Sequence, residues 1–125
     1  MATSAQFAST VKSPSVALSV ANANRDGATG TYAILMTAGA SGSRIDRLVV
    51  QATGITTAGM IRLFLGTALI AEIPVLASTP SATISAWAAN VAFDGGLLLQ
   101  AAAALKASTE KGEGFVLTVT NGGDF

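Results

Sequence analysis

The chain has 125 residues and a mass of 12.4 kDa, a length suited to one domain with a single core. Half of its residues are hydrophobic, but only 11% are charged, and seven basic residues cancel seven acidic ones; an ordinary soluble domain carries roughly 25% charge. The lack of cysteine excludes disulfides and thiolate metal sites, the lack of histidine removes the commonest general base, and zero net charge argues against a nucleic-acid partner.

The first residues, "MATSAQFASTVKSPS", lack the basic and apolar regions of a secretory signal, and residues 1–14 read as a flexible arm preceding a β-domain over 15–125. No apolar run reaches the 18 or more residues of a membrane helix. Short alternating runs then recur about every ten residues, separated by Gly, Ser, Thr, Asn and Pro, which is the pattern of an all-β sandwich or barrel with seven or eight antiparallel strands. "SVALSVA" sets Val16, Leu18 and Val20 in phase, and "TYAILMT" follows the turn-rich "NANRDGATG". "RIDRLVVQAT", "GMIRLFLG" and "ALIAEIPVL" come next. Their expected core rows are Leu48, Val50 and Ala52; Ile61, Leu63 and Leu65; and Leu69, Ala71, Ile73 and Val75. "TISAWAANVAF" and "EGFVLTVT" complete the set. "GLLLQAAAALKAS" is open to two readings, a short helix by propensity or strand–turn–strand by context, and the second is favoured.

The opposite faces of the three middle strands carry the candidate site. With hairpins placed within "GITTAG" and at Thr67, Gln51, Arg62 and Glu72 form a polar row with a possible Arg62–Glu72 pair. Val49, Phe64 and Ile70 then form an apolar row, with Met60 beside it. Such a patch is either a protein interface or is covered by a second sheet, a loop or the arm; the arm would add Phe7 to an interface.

No set of residues supports a reaction. Serines lack a nucleophile-elbow setting and a histidine to activate them, and the carboxylates are scattered. Glu110 and Glu113, separated by Lys111, read as part of a solvated turn. "NANRDG" has Asn22, Asn24, Asp26 and Gly27 at the spacing that begins a calcium loop, but Ala33 stands where the bidentate glutamate belongs, so a self-bonded turn is expected. Trp87 and Tyr32 could stack a sugar, although a lone tryptophan is more often core. No catalytic, metal or cofactor residue is assigned.

The order and spacing of "NANRDGATGT", "TAGASGSRIDRLVVQATGITTAGMIRLFL", "EIPV", "TPSAT" and "LKASTEKGEGFVLTVTNGGDF" resemble a family of small virion structural proteins of tailed bacteriophages. The resemblance runs from about Asn22 to the end. It implies a β-sandwich or jelly roll on the outer surface of the head, decorating or cementing the major capsid protein lattice, often as a homotrimer. Tail, neck or head-fibre location and a carbohydrate-binding module are the alternatives. Two segments depart from the family pattern: "LGTALIAEIPV" is a shorter hairpin, and "QAAAALKAS" replaces a Pro/Gly-containing turn.

Overall fold

The computed structural model describes residues 10–125, and all regular structure among them is β. Nine strands follow in order: β1 Thr10–Val11, β2 Ser15–Leu18, β3 Ala33–Thr37, β4 Ser43–Ala52, β5 Gly59–Leu65, β6 Ala68–Val75, β7 Ala88–Leu99, β8 Ala104–Thr109 and β9 Phe115–Asp124. They form two antiparallel sheets. One runs β1-β9-β4-β7, with β2 also paired to β9, and the other runs β3-β8-β5-β6.

Strand alternation builds the core. In the first sheet Leu48 faces Val119, Val50 faces Leu117 and Ala52 faces Phe115, all buried. In the second, Ile61, Leu63, Leu105 and Ala107 are buried on the matching face, and both sets belong to one apolar cluster. Each large aliphatic side chain removed from water there contributes roughly 1.5–3 kcal/mol.

Two irregularities adjust this pattern. Between Ile45 and Arg47 the ladder to β7 jumps from Leu97 to Ala92, so several β7 residues oppose Asp46. Gly95 and Gly96 make that excursion with φ of 76° and 86°, a region L side chains avoid. In β3 the register shifts between Ile34 and Met36, and Leu35 and Met36 are both buried as a result.

The alternation in the sequence located the strands, and several details differ. Residues 10–14 are strand β1 and its link to β2. Lys12 N donates to Gly122 O at 3.0 Å, and Val119 N donates to Pro14 O at 2.9 Å, so β1 and β2 together seal the β9 edge. β2 ends at Leu18, and Val20 is exposed rather than in phase with the core. The ambiguous segment is strand–turn–strand: Leu97–Leu99 end β7, Ala103 N bonds Gln100 O at 3.0 Å, and β8 follows.

The largest difference is in pairing. β5 and β6 form the expected hairpin around Gly66 and Thr67, with Arg62 opposite Glu72. β4, however, does not pair with β5. It lies between β7 and β9 in the other sheet, because the segment after Ala52 crosses to the opposite layer instead of turning back.

Candidate functional site

That crossing separates the rows expected to form the site. Val49 and Gln51 lie on the outer face of the first sheet, opposite Asn90 and Ala88, while Phe64, Arg62, Met60 and Ile70 belong to the second. Gln51 bonds toward β7, donating to Trp87 O at 3.3 Å and Ala86 O at 3.4 Å, and makes no row with Arg62 and Glu72. The continuous patch expected across β4, β5 and β6 is therefore not formed. Phe7 lies outside the described residues.

On the second sheet the outer face is covered by a strap, residues 19–32, which links β2 to β3. Asn22 and Asp26 fold the strap upon itself. Asn22 Nδ2 donates to Thr31 O at 3.0 Å and Thr29 O at 3.2 Å, and Asp26 Oδ1 accepts from Thr29 N at 2.9 Å and Ala28 N at 3.0 Å. The Thr29 hydroxyl and the two amides around Asp26 hold its carboxyl well below the usual carboxylate range. The calcium-like spacing is thus a self-bonded turn, and no acidic cluster fit for a metal occurs among the described residues.

Four contacts fasten the strap to the sheet. Asn22 N donates to Thr109 O at 2.8 Å. Tyr32 meets Phe64 edge-on with centroids 5.0 Å apart. Lys106 Nζ donates to Gly27 O at 2.7 Å and sits 4.8 Å from the Tyr32 ring centroid. Arg25 Nε donates to Glu72 Oε2 at 2.9 Å, the same oxygen that accepts from Arg62 Nε at 2.8 Å. The two guanidinium donors, Arg25 first, lower the Glu72 pKa. Beneath this cover Phe64 and Arg62 are buried, Met60 is half-buried and Ile70 is partly exposed at the β6 edge. Phe64 is a core residue under the strap. An aspartate there would lose the Tyr32 contact and bury a carboxylate beneath the strap, so Phe64→Asp tests folding rather than docking.

Exposed apolar side chains gather elsewhere. The loops after β2, β4, β6 and β8 all lie at one end of the two sheets. Val20, Ile55, Leu76 and Ile84 are 55%, 63%, 67% and 57% exposed on three of these loops. The other large exposed aliphatics among the described residues, Val11, Ile34, Ile70 and Leu98, sit on four different strands. The loop end is braced. Thr56 and Ser78 exchange two backbone bonds at 2.9 and 3.0 Å, and the Thr56 hydroxyl donates to Leu76 O at 2.8 Å. Glu113 Oε2 accepts from Thr57 N at 2.8 Å and from its hydroxyl at 2.7 Å, and Thr53 N bonds Gly114 O at 3.0 Å. Sequence reasoning missed this end because its aliphatics stand singly in loops and share no period.

Trp87 is half-buried, its ring edge-on to Phe115 at 6.0 Å, and Tyr32 is held in the strap in the other layer. The two rings do not form a pair. No family model, curated protein or solved structure matches the chain.

Proposed function

We propose that the protein is a structural component of a bacteriophage particle, a decoration or cement protein of jelly-roll architecture on the head surface. The observation that carries the fold part of this reading is the strand order. With β2 to β9 counted as first to eighth, one sheet runs first, eighth, third, sixth and the other second, seventh, fourth, fifth. Only the β5–β6 connection stays within a sheet, and every other link from β2 to β9 crosses between layers. That order supports the jelly-roll reading, since alternate layering of this kind is what a two-sheet jelly roll would give, and jelly rolls are widely used in viral shells.

The functional part is supported by the residue inventory and by the braced apolar end. Cementing requires a stable body and a complementary surface repeated in many copies, so that modest contacts add up across a lattice. The major capsid protein is the proposed partner, with self-association as a trimer. No residue is needed for chemistry, and none is assigned to it.

Copy number tests the reading. Quantitative gel densitometry of purified particles should find the chain in hundreds of copies. A few copies per particle would move it to the tail, neck or head fibre, and absence from the particle would overturn the proposal.

A further inference from the structure

We infer that the loop end bearing Val20, Ile55, Leu76 and Ile84 is the docking face, and that its occupant is an uncharged apolar recess on a different protein that is presented in repeated copies. This rests on the virion reading above and specifies which surface performs it.

Residues 53–58 and 76–87, the loops after β4 and β6, contain no Asp, Glu, Lys or Arg. Three of the four exposed aliphatics stand on these two loops. The acidic groups of the adjacent loop are turned to other uses: Glu113 binds Thr57, and Glu110 Oε2 lies 3.7 Å from Arg62 Nη2. The exposed cation of that loop, Lys111, lies with its stem against Gly59. A charged partner would therefore find nothing to pair with on the loops after β4 and β6 themselves, whereas an apolar one loses no solvated charge by approaching them. The bonds through Thr56, Ser78, Thr57 and Glu113 fix the loops in advance, so little ordering is lost on contact.

One other occupant is disfavoured. A second copy meeting this face symmetrically is disfavoured by area. Four aliphatic side chains a little over half exposed offer well under the ~800 Å² that each partner buries in a stable isolated pair. Contacts of this size hold when several are made by linked copies, as a trimer would make on a lattice.

The test uses Ile55→Asp, Leu76→Asp and the double variant, with Ala92→Asp, exposed on the outer face of the first sheet, as control. Binding is measured by co-sedimentation with assembled shells that lack this protein, prepared from the phage that encodes it. Self-association is measured by sedimentation velocity, and folding by circular dichroism and melting temperature. The expected result is at least a tenfold loss of shell affinity for each loop variant and a greater loss for the pair, with fold and oligomeric state unchanged and Ala92→Asp binding as the unaltered protein. If unaltered protein binds shells and the double variant binds equally well, the inference is overturned while the virion reading stands. If the loop variants lose an oligomer that the unaltered protein forms, a second copy is the occupant and the inference fails. If unaltered protein does not bind shells at all, the cement reading falls and the inference with it.

Discussion

Position 64 shows how far a single residue can be read from sequence. "RLFLG" alternates large apolar side chains, so Leu63 and Phe64 must point to opposite faces, and the face without the main core looks like a surface. The strap decides otherwise, since Tyr32 closes over Phe64 and leaves it fully buried. Phe64→Ala should therefore cost about 3–5 kcal/mol, as for a core aromatic, when unfolding is followed in urea. A cost below about 0.5 kcal/mol, usual for an exposed site, would mean that the strap does not cover it. Glu72 gives a second test at this scale. Its folded pKa is depressed chiefly by the Arg25 hydrogen bond and then by that of Arg62. The native state thus binds fewer protons than the unfolded chain in the acid range. The resulting stability is present above the ordinary carboxylate pKa of about 4 and is lost as pH falls below it toward the native value. Asp26 and Asp124 shift in the same direction, through Thr29 and through Lys12 respectively, so their contributions fade in the same acid window. Melting temperatures taken from neutral pH down to about pH 2.5 should fall below about pH 4. Glu72→Gln should melt lower than the unaltered protein at neutral pH and lose less on acidification. Parallel curves would remove Glu72 from the latch.

At the scale of the element, alternation was enough to locate strands but could not pair them. β4 and β5 are neighbours in sequence, both amphipathic, and separated by a short Gly-containing stretch, which satisfies the rules for a hairpin as well as the rules for a crossover. Sheet membership is decided by contacts made far along the chain: β4 is held by β9 and β7, both of which follow it by dozens of residues. The β5–β6 hairpin was legible because its turn is only Gly66 and Thr67, with Gly66 at φ 64°, and no crossover fits so short a link. The strap shows the same limit. Asn22, Asp26 and Gly27 announced a self-bonded turn, but its position over β5 and β8 depends on Lys106, Glu72 and Phe64, which carry no local signal. Gly27 marks a close approach of the strap to the β5–β6 turn: its φ is 71°, and a Cβ there would collide with the Thr67 backbone. Gly27→Ala should lift this part of the strap. Hydrogen exchange of Ala28 and Thr29 should then quicken, and the melting temperature should fall by several degrees, while the β spectrum persists. Unchanged exchange would show that the strap is free to shift without leaving the sheet.

For the whole molecule, the consequence of this topology is that the two termini of the described chain close the same edge. β9 is last in sequence yet lies inside its sheet, because β1 and β2 pair along its outer side. Lys12 Nζ lies 2.6 Å from Asp124 Oδ2, and the Ser43 hydroxyl donates to the other Asp124 oxygen, which ties the first strands to the end of β9 and to the start of β4. Removing residues 1–14 would strip β1 and the Lys12 and Pro14 bonds from β9, leaving the backbone around Asn121–Asp124 open on one side. An unpaired edge next to a buried apolar face is a template for pairing with another chain. The truncated protein should melt at lower temperature and scatter light on standing at concentrations where the full chain stays clear. Removing only residues 1–9 leaves every one of these bonds in place and should change neither property. If both truncations behave alike, the seal provided by residues 10–14 is unimportant, and the edge of β9 must be protected by its own twist and by Asp124. If only the longer one aggregates, the segment that sequence reading assigned to an arm is part of the folded body, and the surface available for docking is confined to the faces and loop end beyond it.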